Sequence, residues 1–153
     1  MTPLDRGQLW VMRIHAAALA LLLLLGAGVA EAVLDGRVNL PRGIILLPAL
    51  ILAAWIVIFA PARRFRRWGY HMDADELQVQ HGLLTQVHTV VPLDRVQHLD
   101  IAQGPLERSF GVSRLIVHTA GTLHSQVLLP GLPRETAERM RDEIRARIRQ
   151  EAE

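Results

Sequence analysis

Two uninterrupted apolar stretches decide the fold class of this chain, IHAAALALLLLLGAGVA at residues 14–30 and GIILLPALILAAWIVIFA at residues 43–60. As helices, their 17 and 18 residues would extend roughly 25–27 Å, close to the ~30 Å hydrocarbon core of a bilayer. Neither stretch contains a charged residue or the polar stripe of a soluble amphipathic helix. The sequence therefore predicts two transmembrane helices, at about residues 14–34 and 43–60.

The placement of arginine predicts how these helices are oriented. Retained loops close to membrane spans carry their positive charge on the cytoplasmic side. The densest cluster follows the second stretch, so we expect a multi-pass protein of the bacterial cytoplasmic membrane with both termini and the C-terminal domain in the cytoplasm. The same cluster forms a basic juxtamembrane segment, residues 63–68, that would attract anionic lipid headgroups. Its members are Arg63, Arg64, Arg66 and Arg67.

The N-terminal stretch also fits a second interpretation. Arg13, the leucine-rich run and Ala30-Glu31-Ala32 together resemble a secretory signal peptide with an A-x-A cleavage site. Cleavage after Ala32 would leave one span, but the arginine cluster would keep the C-terminal domain on the same side. The length of the stretch and the prompt second span favour retention. Glu31 is open to two interpretations, an interfacial residue or a functional acid inside the membrane.

Short segments with period-two alternation follow the arginine cluster and predict an antiparallel sheet. Turn residues separate them, including Asp73-Ala74-Asp75, Gly82 and Ala120-Gly121. Residues 104–111 begin with Gly-Pro and end with Gly, which predicts a single helical turn with Glu107 near its start. The predicted strands are residues 68–72, 76–81, 85–92, 96–103, 115–119 and 123–129.

The apolar period changes near the C-terminus. Residues 134–150 would set Ala137, Met140, Ile144 and Ile148 on one face of an amphipathic helix. A helix laid against a small antiparallel sheet gives an α+β domain. The predicted organisation is an N-terminal tail with two transmembrane helices at residues 1–62, the juxtamembrane segment at 63–68 and a cytoplasmic domain at 69–153.

Several motifs of this domain resemble the YdbS-like membrane-flanked family of bacterial PH domains. The resemblance implies a two-helix transmembrane hairpin followed by a PH-like antiparallel sheet, bent into a partly open β-barrel and closed by the C-terminal helix. It also implies a larger membrane protein with several PH-like domains as a partner, and no particular reaction, because fold does not supply function. The motifs are Val91-Pro92-Leu93-Asp94-Arg95-Val96-Gln97-His98, Gln103-Gly104-Pro105-Leu106-Glu107-Arg108, Phe110-Gly111, Thr119-Ala120-Gly121 and Leu129-Pro130-Gly131-Leu132.

Residues that usually carry catalysis are sparse. The chain has no cysteine, which excludes disulfides, thiolate metal sites and cysteine nucleophiles. No serine lies in a G-x-S-x-G context. Cross-strand pairs such as His81 with His88 and His118 with His124 suggest a metal site, but solvent-facing strand histidines are the favoured interpretation, since no carboxylate accompanies them at a standard spacing. We therefore predict a non-enzymatic protein with no metal and no cofactor.

A binding role is predicted instead. Arg95 and Gln97 share strand parity and should project to one face, and Arg108 lies on the helical turn that follows. Together they could grip a phosphate or a partner carboxylate. In the alternative interpretation, Arg95 and Arg108 pair with the neighbouring acids Asp94, Asp100 or Glu107 and fix the crossover.

The charge balance narrows the class of partner. From residue 63 onward, 13 arginines face 12 acids, and aromatic residues are few, so the domain lacks the basic face of a nucleic-acid-binding protein. We expect a binding or scaffold module for another membrane protein, in contact with membrane lipids. Recognition of lipid headgroups is the alternative.

Overall fold

The computed structural model describes residues 1–35, 37–38, 41–83, 85–120 and 126–151. They divide into two compact units. Residues 12–63 form a helical unit, and residues 1–11 together with 64–153 form a second unit, here named the sheet domain. The sheet domain thus includes residues 1–11, which the sequence predicts to be part of the N-terminal tail.

Two long helices carry the apolar stretches. Helix α1 (Arg6–Asp35) and helix α2 (Leu46–Arg66) are long and apolar enough to cross a membrane. Their large apolar side chains face outward, as the 67% exposure of Leu22 and the 73% exposure of Ile51 show. Apolar side chains in such numbers are stable when lipid rather than water surrounds them. Both helices extend beyond the predicted spans, α1 at its start and α2 at its end.

Glu31 stabilises the connection between the two helices. Its carboxylate accepts hydrogen bonds from the N–H of Gly43 and, at 3.0 Å, from the N–H of Leu46, the first residue of α2. Helix N-termini present unpaired N–H groups and the positive end of the helix dipole, both of which favour a carboxylate. Nearby, Arg42 and Asp35 form an ion pair at 3.6 Å. Glu31 therefore has a structural role in the connection between α1 and α2.

Within the described residues, seven strands form two antiparallel sheets in the sheet domain, as predicted for an α+β fold. In the first sheet the order is β1 (Thr2–Pro3), β2 (Gly69–Met72), β3 (Glu76–His81) and β4 (Val87–Pro92). A 3-10 turn at Leu93–Arg95 leads into the second sheet, β5 (Val96–Ala102), β6 (Val112–Thr119) and β7 (Gln126–Pro133). Within the described residues no strand pairing joins the sheets, so the barrel is open. The remaining elements are α3 (Pro105–Ser109) and α4 (Arg134–Glu151).

The core of the domain lies between the two sheets and α4. The apolar face predicted for the C-terminal helix is confirmed, since Ala137, Met140 and Ile144 are buried and Ile148 packs against the core. Alternation along the strands buries Leu77 and Val79 of β3, and Leu115 and Val117 of β6. The strand residues with no exposed surface are Leu77, Val79, Val112, Ser113, Leu115, Val117, Leu129 and Leu132.

The N-terminal residues complete the sheet domain. Strand β1 pairs with β2, and Leu4 is buried in the same core as the strands of both sheets. The N–H of Asp5 donates to the carbonyl of Gly131 at 2.9 Å. The carboxylate of Asp5 accepts a hydrogen bond from the N–H of Gly7 at 2.7 Å and so caps α1. The first residues of helix α1 therefore belong to the sheet domain.

A β-bulge makes the Gly131 carbonyl available for this contact. The register between β6 and β7 shifts between Ser113 and Leu115, opposite Pro130 and Gly131. Gly131 has a φ of +69°, a left-handed conformation that L side chains adopt only at a cost. A Cβ at this position would also lie 2.7 Å from the Cβ of Gln8. Glycine therefore permits both the bulge and the close approach of the N-terminal segment.

Candidate functional site

Arg95 and Gln97 lie at the junction between the two sheets. Arg95 ends the 3-10 turn and is exposed, while its backbone carbonyl accepts the N–H of Ala120 at 3.0 Å. Gln97 is also exposed, and the register with β6 passes from Val96 to His98 around it. Because Arg95 is outside the strand and a bulge interrupts the alternation at Gln97, the predicted strand parity of these residues is wrong.

Glu107, rather than Arg108, holds the short helix α3 in place. As predicted, Pro105 opens this helix and Glu107 lies in its first turn, where the carboxylate accepts the N–H of Gly104 at 2.6 Å. The Glu107 side chain is 8% exposed and forms an ion pair with Arg114 of β6, with 3.0 Å between Nε and Oε1. The Nε–H group is not aligned for a hydrogen bond, so this contact is electrostatic. Arg108 itself is exposed.

Arg95 and Gln97 lie at the start of β5, whereas Arg108 lies in α3, beyond the other end of that strand. The 7 residues of β5 extend roughly 20 Å, so Arg108 is remote from the other two residues along the strand. The alternative interpretation, in which Arg95 and Arg108 pair with neighbouring acids, also fails. Within the described residues neither arginine forms an ion pair, and Glu107 pairs with Arg114 instead. A binding role for Arg95, Gln97 and Arg108 stays a prediction.

The juxtamembrane arginines are all exposed. Arg67 donates a hydrogen bond to the carbonyl of Leu83, and Trp68 stacks on His81 with 4.8 Å between ring centroids. These contacts join the residues after α2 to the hairpin of β3 and β4. Among the described residues, the other three arginines of the cluster form no ion pair, which leaves their charge available to phosphate groups.

The histidine pairs singled out from the sequence do not come together. His81 lies opposite Val87 and His88 lies opposite Gln80, so the two histidines project from opposite faces of the hairpin. The other pair includes His124, which lies outside the described residues. In the part of the chain that the structure describes, no group of three or more His, Cys, Asp and Glu residues is arranged to hold a metal ion.

A different histidine pair meets across β5 and β6. Asp100 lies between His98 and His118, which are directly opposite each other. The His98 Nε2 is 2.9 Å from one carboxylate oxygen, and the His118 Nε2 is 3.2 Å from the other. Sequence spacing could not reveal this cluster, because it depends on the register between the strands. Its consequence is that both oxygens of Asp100 already have a partner.

A groove of about 260 Å³ runs between β5 and α4. The strand contributes the consecutive residues Leu99, Asp100 and Ile101, followed by Gln103. The helix contributes four charged side chains, Arg134, Glu138, Arg141 and Arg145. The sequence predicts the apolar face of this helix, but its pattern gives no sign that the charged face lines a groove.

The charges on the helical wall are only partly compensated. Arg134 pairs with Glu138 at 2.9 Å, and Arg141 pairs with Asp142 at 2.8 Å. The hydrogen bond from Arg141 lowers the pKa of the Asp142 carboxyl, and the positive charges of Arg141 and Arg145 lower it further. Within the described residues, Arg145 forms no ion pair of its own. The wall therefore offers one uncommitted guanidinium and the outer N–H groups of its neighbours.

Comparison with known proteins matches this architecture to a family. Residues 14–148 match the family model of the bacterial PH domain. The chain belongs to this family. It is similar to the UPF0699 transmembrane protein YdbS of Bacillus subtilis (strain 168), with 32% identity over 144 residues that cover 92% of this chain and 86% of YdbS. The YdbS-like resemblance is thus confirmed, and the chain is a membrane protein with a bacterial PH domain.

A second relative is much longer than this chain. The UPF0699 transmembrane protein YdbT of the same organism is 26% identical over 95 residues, which cover 61% of this chain but only 19% of YdbT. No solved structure matches the chain significantly.

Proposed function

We propose that this chain is a non-enzymatic binding or scaffold module whose sheet domain contacts another membrane protein at the cytoplasmic face of the bacterial membrane. The observation that carries the proposal is the small number of residues between the apolar helices and the strands of the sheet domain. Helix α1 begins at Arg6, beside the buried Leu4, and α2 ends at Arg66, only a few residues before β2 at Gly69. Two such short tethers keep the domain at a high effective concentration toward proteins in the same membrane.

The inclusion of residues 1–11 in the sheet domain supports the proposed orientation. Both chain ends then share one side of the membrane, which agrees with two spans and with the cytoplasmic arginine cluster. It also favours retention of the first span, because cleavage after Ala32 would remove β1 and the buried Leu4 from the fold.

Topology reporters test this orientation. A reporter active only in the cytoplasm should work after Glu153, and a periplasm-dependent reporter there should be silent. Neutralising the four juxtamembrane arginines should give mixed orientation, because the remaining charges at the spans oppose each other. Neutralising four arginines of α4 is the matched control and should leave orientation unchanged. Periplasmic activity in the unaltered chain would contradict the proposal.

The expected partner is a larger membrane protein with several PH-like domains. The similarity to YdbT supports the existence of longer proteins that contain a related segment. Crosslinking at native expression, followed by purification of the full chain in mild detergent, should recover a protein of this class. Recovery of the free protomer alone would count against a scaffold function.

Lipid-headgroup recognition is the second candidate, favoured by the exposed juxtamembrane arginines. Native mass spectrometry of the full chain in mild detergent, with phosphatidylglycerol or phosphatidylcholine added, separates two cases. If the four neutralised arginines abolish a preference for phosphatidylglycerol, the preference comes from simple charge attraction. If the preference survives, the sheet domain itself selects the headgroup.

A further inference from the structure

The groove between β5 and α4 follows the edge of a strand. Side chains of a strand alternate between its two faces, so a surface that borders one face contacts every second residue. This groove contacts Leu99, Asp100 and Ile101 in succession, which means that it runs along the backbone edge. Within the described residues β5 is the last strand of its sheet and pairs only with β6. Its outward N–H and C=O groups are therefore available to another extended chain.

The spacing of two arginines on α4 matches the spacing of alternate side chains on an extended chain. Arg141 and Arg145 are one helical turn apart, which corresponds to a rise of roughly 6 Å along α4. Alternate side chains of a strand are roughly 6.6–6.8 Å apart. Two carboxylates at alternate positions of an added strand would therefore come into register with the two guanidinium groups.

The acids that line the groove do not satisfy these arginines. Both oxygens of Asp100 face histidines, and Glu138 is paired with Arg134. Arg141 uses Nε and one terminal nitrogen on Asp142, and Arg145 has no acidic partner within the described residues. An incoming carboxylate would meet the guanidinium of Arg145, which forms no ion pair within the described residues, and the N–H groups of Arg141 that Asp142 leaves unused.

We propose that this groove receives an extended acidic segment of the partner protein, which adds a strand to β5 and sets two alternate carboxylates on Arg141 and Arg145. The inference rests on the proposed function, because it names the surface by which the scaffold holds its partner. Backbone pairing supplies affinity in this mode of recognition, and the side-chain contacts supply specificity. An acidic residue at every second position is the expected signature of the segment.

The direct test uses the full chain in mild detergent and a defined probe, the labelled peptide acetyl-Thr-Glu-Val-Glu-Val-Thr-amide. Two altered peptides separate the two contributions. One carries glutamine in place of both glutamates, and the other carries N-methyl groups that block backbone pairing on one edge. Fluorescence anisotropy should show that each change weakens binding by roughly tenfold or more.

A pair of double variants assigns the contact to the groove. Arg141→Gln with Arg145→Gln should abolish the preference for glutamate over glutamine in the peptide. Arg139→Gln with Arg149→Gln removes the same charge from exposed positions of α4 outside the groove and should leave the preference intact. Equal urea midpoints for the two variants would show that folding is not the cause of any difference.

The outcomes distinguish this inference from the proposed function. No binding of the peptide, or equal binding of the N-methylated peptide, overturns strand addition. Recovery of the membrane partner by the groove variant as well as by the unaltered chain overturns the groove but leaves the scaffold function standing. A dimer of this chain that the groove variant dissociates would make a second copy the occupant and overturn the assignment to a partner protein. Failure of the unaltered chain to recover any partner, with groove-dependent peptide binding intact, contradicts the scaffold function alone.

Discussion

Leu4→Ala should destabilise the sheet domain, although both transmembrane helices separate this residue from the rest of the domain in sequence. Leu4 is 4% exposed and packs in the core that contains Leu77 and Leu129. Truncation of a buried leucine to alanine costs about 2–5 kcal/mol. Leu4 lies at the end of a chain whose neighbours can relax, so we expect the lower part of that range, about 2–3 kcal/mol. With a urea dependence of about 1–1.5 kcal/mol per molar, the unfolding midpoint should fall by roughly 2 M.

Pulse proteolysis of the full chain in mild detergent, over a urea series, measures this midpoint. The matched control is Leu128→Ala, the same substitution on β7 at a side chain that is 41% exposed. That variant should lose less than about 1 kcal/mol, because little buried surface is removed. Equal midpoints for the two variants would show that the N-terminal segment is not part of the folded domain. The N-terminal segment would then no longer support the proposal that both chain ends lie on the same side of the membrane.

Three further predictions concern single side chains. Glu107→Gln removes the counter-charge of Arg114 and weakens the cap of α3, so the free energy of unfolding should fall by roughly 1–3 kcal/mol. Arg95→Ala should change the free energy of unfolding by less than about 0.5 kcal/mol. The reverse order of the two urea midpoints would contradict these assignments. Gly131→Ala should cost roughly 2–4 kcal/mol in the same assay, because it strains a left-handed residue and adds a methyl group against the N-terminal segment, and a neutral result would refute that contact. Burial raises the pKa of Tyr70, the single tyrosine, above its ordinary value of 10.0, so the phenolate absorbance should appear at higher pH in the folded chain than in denaturant. The stability that the neutral phenol contributes is present below pH 10.0 and is lost as the pH rises through the raised pKa.

Elements with a strong local period could be predicted from the sequence. Strand β3 has the predicted bounds, and the predicted C-terminal helix at residues 134–150 differs from α4 by one residue. The boundaries failed where a polar residue is buried or a turn signal lies inside a strand. Ser113 made the start of β6 look polar, but it is fully buried and donates its hydroxyl to the carbonyl of Leu132 at 3.1 Å. The strand predicted at residues 123–129 stops before Pro130-Gly131, although these two residues form a bulge within β7.

The contribution of the N-terminus left no signal of this kind. Strand β1 contains 2 residues, too few for any periodicity, and it pairs with β2 more than sixty residues later in the chain. The transmembrane stretches dominate the composition around it and draw attention to the membrane. Only the three-dimensional register shows that Leu4 fills the core and that Asp5 bonds to Gly131.

The binding surface was harder to predict because arginines and acids are almost equally numerous in this part of the chain. Charge alone cannot show which pairs form, and Glu107 pairs with Arg114 because the register sets the start of β6 beside the end of β5. Exposure does not separate the remaining candidates either, since Arg95, Arg108 and Arg145 are all exposed. Arg145 alone among these three faces a second wall, and that wall is the edge of a strand. A guanidinium on an open surface holds a carboxylate weakly, because water competes for both groups. Beside a backbone edge, the same contact is reinforced by main-chain hydrogen bonds, and for that reason Arg145 is the stronger candidate for partner binding.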